Sequence, residues 1–116
     1  MNDKTKKLIS ENPTILATSQ NNIPNIAVAT DVTVLDDGTI LIAHNEMRQT
    51  IENIKSNVKI ALLILDKNYA GVRIFGKAHY YTEGRYFDLV NKLYKNATTD
   101  PLGAILITVD RIMEIK

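Results

Sequence analysis

The chain has 116 residues, with 14 Lys and Arg against 13 Asp and Glu, and no cysteine. That length makes one domain able to bury a core without staples, and the balanced, dispersed charge argues against a protein built to grip the nucleic-acid backbone. The missing cysteines exclude disulfides, thiolate metal sites and cysteine nucleophiles, and no run approaches the ~20 apolar residues that cross a bilayer.

Lys4, Lys6 and Lys7 form the one basic cluster. No long apolar run follows them as in a signal peptide, so they read as a solvated first turn of a soluble, cytoplasmic protein. Thr5 to Glu11 is a short helix stopped by Asn12-Pro13, since the residue before a proline is pushed out of helical conformation. Thr14 to Ser19 is a strand closed by Gln20-Asn21-Asn22. Pro24 opens a longer strand, Asn25 to Leu35, which sets Ile26, Val28, Val32 and Val34 against Ala27, Ala29, Asp31 and Thr33, a half-buried pattern. Asp36-Asp37-Gly38 is a hairpin turn, and Thr39 to His44 is the returning strand.

From Glu46 to Ser56 the period becomes helical, with Met47, Ile51 and Ile54 on one face and Asn45 placed to cap the start. Val58 to Leu65 is almost wholly apolar, which implies a strand covered on both faces. Asp66-Lys67-Asn68 turns the chain into the long strand Gly71 to Thr82. There Gly76 marks a bulge or a close backbone approach, and Arg73, Phe75, Lys77, His79 and Tyr81 alternate with smaller or apolar residues. Glu83 to Lys95 is an amphipathic helix with a stripe of Tyr86, Phe87, Val90, Leu93 and Tyr94, and Thr82 can cap it. After Asp100-Pro101, Ala104 to Ile115 is the last strand. The expected fold is mainly β: a six-stranded antiparallel small barrel with two to three covering helices, a closure that removes exposed edges.

The chemical inventory is thin. Ser10, Ser19 and Ser56 have no elbow or nearby base, so no nucleophile is supported, and no paired carboxylates or glycine-rich phosphate loop occur. His44 and His79 lack partners at metal-ligand spacing, so no metal site is expected. His44 beside Asn45 at a strand end is either a site or a partly exposed structural residue, and His79 reads as a surface residue. Asp31, the one acid in its apolar strand, is either at a rim or functional, because a buried carboxylate is costly unless paired. The segment His44-Asn45-Glu46-Met47-Arg48-Gln49-Thr50 stands out, because it joins a strand to a helix N-terminus. Unpaired N–H groups and the helix dipole, with Arg48, Gln49 and Thr50, can make a phosphate cradle; the alternative is a capped surface helix with an ordinary arginine.

Four stretches together resemble the pyridoxamine-phosphate-oxidase-like family of FMN-binding split barrels, especially its small single-domain members. They are Ile15 to Ser19 with the following turn and Pro24; Val34 to Ile40 leading into Met47 to Ile54; Asn57 to Leu62; and Val72 to Ala78, which matches an R-x-x-G-x-A strand. The resemblance runs from Ile15 to Ile115. It implies FMN, with its phosphate at Arg48, Gln49 and Thr50 and its ring along Val28, Ala29, Thr30 and Asp31, beside Ala43 and His44. It also implies a homodimer whose second subunit closes over the flavin, for which Arg111 to Lys116 is a candidate segment. Many relatives carry a lysine where this chain has Gln49. The C-terminal extension with which authentic oxidases grip pyridoxal phosphate is missing, so vitamin B6 oxidation is not expected.

The function implied is an FMN-dependent oxidoreductase or electron-transfer flavoprotein, with no catalytic side chain assigned. The alternative is a non-catalytic split barrel that binds heme, F420 or flavin for storage or sensing.

Overall fold

The computed structural model describes residues 1–94 and 100–115. Helix α1 (Asp3–Glu11) is capped by Asn2, whose side-chain oxygen accepts from the Thr5 N–H at 2.8 Å, and it ends where Asn12 turns extended ahead of Pro13. Strands β1 (Thr14–Gln20) and β2 (Ile23–Ala29) form a hairpin whose two turn residues, Asn21 and Asn22, both have positive φ, the tight-turn geometry that matches strand twist. Next come β3 (Val32–Val34), β4 (Ile40–His44), helix α2 (Arg48–Ser56), β5 (Lys59–Leu65), β6 (Gly71–Tyr81), helix α3 (Arg85–Tyr94) and β7 (Gly103–Ile115). The expected helix end at Lys95 lies outside the described residues, as does Lys116 at the end of the segment put forward to close over a ligand.

All seven strands belong to one antiparallel sheet in the order β2-β1-β5-β6-β7-β4-β3. The two edge strands are consecutive in the chain, and three peptide steps from Ala29 to Val32 span at most ~10–11 Å. The edges must therefore meet, and the sheet curls into a barrel left open along one seam. A β-bulge at Phe75/Gly76 sharpens the curl, and a Cβ on Gly76 would lie 2.2 Å from the Thr108 carbonyl oxygen, so the strands come this close only with glycine there.

Seven strands replace the expected six because Asn25 to Leu35 is two strands. At Thr30 and Asp31 the chain leaves one edge and joins the other, and the inward face changes parity. Ala27 and Ala29 point in before the break, Val32 and Val34 after it. Ile26 and Val28, read as partners of Val32 and Val34, are instead 73% and 59% exposed. A one-residue slip moves a strand's whole side-chain set to the other face, and one period cannot be read across such a break.

The interior cluster is aliphatic: Leu16, Ile40, Ile42, Leu62, Ile64, Ile74, Ile105 and Ile107 fill the curl, with Ile9 of α1 and Ile51 and Ile54 of α2 closing its ends. Burying each of these side chains contributes about 1.5–3 kcal/mol. A second cluster lies behind β4 and β7, where Leu41, Ala43, Ala104 and Leu106 pack under Val90 of α3. Strand β4 is thus buried on both faces. Strand β5, expected to be covered on both, buries Ile60, Leu62 and Ile64 but leaves Ala61, Leu63 and Leu65 half-exposed.

Candidate functional site

The junction between β4 and α2 is held in place by a polar network that links α2 to the β1–β2 hairpin. Asn53, 1% exposed, donates to the Thr18 hydroxyl at 3.0 Å and accepts from Gln49 Nε2 at 2.8 Å. Asn25 donates to the buried Thr50 hydroxyl at 3.2 Å. Buried amides satisfied in this way fix a unique seating for the helix, because any other leaves them without partners.

The start of α2 is bare. Its N-cap is Met47, which offers no side-chain hydrogen bond, and the first turn carries no acid. Asn45 was expected to cap; instead its amide nitrogen donates to Asp31 Oδ2 at 3.0 Å. The first intrahelical bond is Ile51 N–H to the Met47 carbonyl, so the N–H groups of Arg48, Gln49 and Thr50 have no helical acceptor. With the positive end of the dipole and the exposed Arg48 guanidinium, this is an anion-receiving terminus. The three side chains themselves diverge. Arg48 borders a cavity of about 530 Å³ on one side of α2 with His44, Asn45, Met47, Ile51, Lys55 and Tyr80. Gln49 borders a groove of about 310 Å³ beside the β1–β2 hairpin, and Thr50 is turned toward Asn25.

His44 and Ala43 part company for the same reason that β4 is buried on both faces. Ala43 lies under α3, while His44 continues the interior side and is 8% exposed. His44 Nδ1 is 2.6 Å from the Tyr80 hydroxyl, and the rings meet edge to face at 5.4 Å. Burial, and then the positive charge of Lys55, lower the pKa of His44, and burial raises that of Tyr80, so both are neutral at pH 7. The Lys55 ammonium lies 5.9 Å from the centre of the Tyr80 ring. Asp31 sits at the corner between β2 and β3, where its carbonyl accepts from the Ala43 N–H at 3.0 Å and its carboxylate from Asn45. Ala29 is buried beside that corner, whereas Val28 and Thr30 lie on the outside.

The structure therefore gathers Asp31, His44 and Arg48 around one junction and sends the side chains of Val28, Ala43 and Gln49 elsewhere. Tyr80, Lys55 and Asn53 escaped the sequence reading. Tyr80 had one signal: it falls on the inward parity of β6, where a hydroxyl needs a partner. His79, on the opposite parity, is exposed as expected. No group of three metal-ligating side chains comes together among the described residues, and no described helix is long and apolar enough to cross a membrane.

A curled antiparallel sheet open along one seam, with helices at its ends and an anion-receiving helix start beside the seam, defines the split-barrel class. The model of the pyridoxamine 5'-phosphate oxidase family matches residues 1–116, and the chain belongs to that family. It is 33% identical to an uncharacterized protein of Methanocaldococcus jannaschii over 118 residues, covering 98% of this chain and 79% of the relative. Among solved structures it is similar to HupZ of Group A Streptococcus, at 29% identity and a TM-score of 0.92 over 99% of this chain and 94% of that one. It is similar also to an FMN-binding protein of Syntrophomonas wolfei, at 29% identity and a TM-score of 0.85 over 98% of this chain and 85% of that one.

Proposed function

We propose that this protein is a cytoplasmic FMN-binding flavoprotein that acts as a homodimeric oxidoreductase or electron-transfer protein. The observation that carries the reading is the bare start of α2: backbone N–H groups of residues 48–50 without helical acceptors, a neighbouring Arg48, no side-chain cap and no acid in the first turn. The family and the similarity to an FMN-binding protein support it.

Arg48 and the first-turn N–H groups would hold the phosphate. Backbone groups at the Ala29–Asp31 corner would meet the ring edge, with Asp31 steadied by Asn45. FMN, when bound, supplies the redox chemistry, so the reading requires no catalytic side chain of the protein. Gln49 provides no charge at this end, and its amide nitrogen is committed to Asn53. Arg48 is thus the side-chain cation of the cradle.

The reading of a homodimer rests on the outer face of the barrel. Val28, Ile15 and Leu63 lie side by side on neighbouring strands, as do Ile26, Ala17, Ala61 and Phe75 in the next row, and all of them are exposed or half-exposed. A strand such as β5, apolar on both faces yet covered on one, has the composition of an element buried twice. A second copy meeting this face about a two-fold axis would supply the missing cover.

Fluorescence and absorbance titration with FMN, with FAD and heme as controls, tests the function. Saturable, near-stoichiometric binding of FMN alone is the expected result. Heme uptake with no flavin binding would favour the storage or sensing alternative and overturn this one.

A further inference from the structure

The α2 cavity holds a hydrogen-bond donor that the protein itself leaves unused. The Tyr80 hydroxyl has no acceptor other than His44 Nδ1 among the described residues. With its proton assigned to that bond, the neutral imidazole carries its own proton on Nε2. Nε2 has no partner among the described residues, and it is not one of the sealed atoms, so it opens into the cavity that His44 lines. His44 is 8% exposed, which puts this donor in a recess and not on the open surface.

Three further features describe what would fill the recess. Arg48 and Lys55 bring positive charge to the lining against Glu46 and Glu52, and the charge of Lys55 reaches His44. Glu52 lies toward the Lys55 ammonium, 4.0 Å away, with both side chains well exposed. Met47 and Ile51 make an apolar wall, and Leu102, 60% exposed, stands at the rim.

We propose that this cavity binds a small organic acid, with its carboxylate accepting from His44 Nε2–H beside Lys55 and its short apolar body against Met47, Ile51 and Leu102. The buried neutral donor and the cations Lys55 and Arg48, offset by Glu46 and Glu52 on the same lining, suit a monoanion better than a phosphate dianion. Tyr80 is a positioning residue: it holds the imidazole by Nδ1, and it is itself fixed against Gly103, where a Cβ would lie 2.2 Å from the hydroxyl. The site adjoins that of the flavin reading, whose phosphate is assigned to Arg48 and the backbone at the start of α2, since Arg48 borders the same cavity; it stands whether or not FMN binds.

The test is an NMR titration of isotope-labelled protein with butyrate, with sodium chloride at matched ionic strength as control, before and after saturation with FMN. Saturable shifts of the His44 ring and none at His79 are expected. Lys55→Met should weaken butyrate roughly tenfold, the scale of a lost charge-assisted contact. Tyr80→Phe should shift the His44 ring nitrogens away from the Nε2–H tautomer and weaken butyrate with it, a signature that a packing role alone would not give. No saturable shift at His44, or equal shifts at both histidines, would overturn the proposal. Strict competition between butyrate and FMN would also overturn it, by making the cavity the flavin's own and leaving the flavin reading intact. Butyrate saturation in protein that takes no FMN would sustain the cavity and remove the flavin reading instead.

Discussion

Gly103 and Tyr80 share one space: a Cβ at position 103 would lie 2.2 Å from the tyrosine hydroxyl and 2.4 Å from the ring carbon that bears it. Tyr80 reaches His44 only because residue 103 has no side chain. Gly103→Ala should therefore cost about 1–3 kcal/mol as an overpacked site, read as a lower urea midpoint with unchanged slope. Gly103→Ala on a Tyr80→Ala background should cost much less, since the obstructing ring is gone. Equal costs in both backgrounds would disprove the steric link.

The pKa of His44 is lowered from 6.5, first by burial and then by Lys55. The unfolded chain therefore takes up a proton there before the folded one does. The contribution to stability is complete above pH 6.5 and is lost as pH falls through the folded value. Urea midpoints measured between pH 7.5 and pH 5 should decline in the native sequence and decline less in His44→Gln. The Asp37 carboxyl, lowered from 3.8 by its hydrogen bonds from Thr39, titrates below this window and does not confound it.

Arg48 is exposed, so replacing it tests binding with little effect on folding. Arg48→Ala should weaken FMN by about 1–3 kcal/mol, roughly ten- to a hundred-fold in Kd, while the melting temperature of the free protein holds. An unchanged FMN affinity would take Arg48 out of the phosphate cradle.

Ile26→Asp places a charge at the β2 edge of the uncovered apolar face without touching the interior. Sedimentation equilibrium should give a dimer for the native chain and a monomer of the same secondary structure for the variant. A variant that keeps the dimer mass would move the interface to another face.

Asn53→Ala removes the amide that joins Thr18 to Gln49 and strands the buried Thr18 hydroxyl. A loss of about 1–3 kcal/mol is expected in chemical unfolding, together with looser seating of α2 that shows as faster amide exchange at Gln49 and Thr50.

Much of the architecture was legible in the residues. Alternation placed β1, β4 and β6 within a residue or two, and Gly76 proved to be both a bulge and a close approach. The junction at Arg48 was visible because a strand end, a helix start and a cation fall within five residues. What escaped depends on the curl of the sheet. Parity changes at Thr30 and Asp31 only because the chain steps between edges there, and no local pattern marks the step. Tyr80 meets His44 from 36 positions away, across β7, a neighbour no period shows. Asn45 looked like a cap because its spacing allowed it; Asp31, drawn near by the fold, takes its amide instead.

The two residues between Ala29 and Val32 are the gauge of the barrel's opening. A turn such as Asp66 to Ala70 can lengthen freely, because it only reverses the chain at the rim. One residue added at the seam has two outcomes. The gap widens by about 3.3–3.6 Å, pulling Asp31 off Asn45, or β3 keeps its place and turns Val32 and Val34 out to water. Among relatives of this chain, length at this one connector should therefore be held as tightly as any side chain in the core.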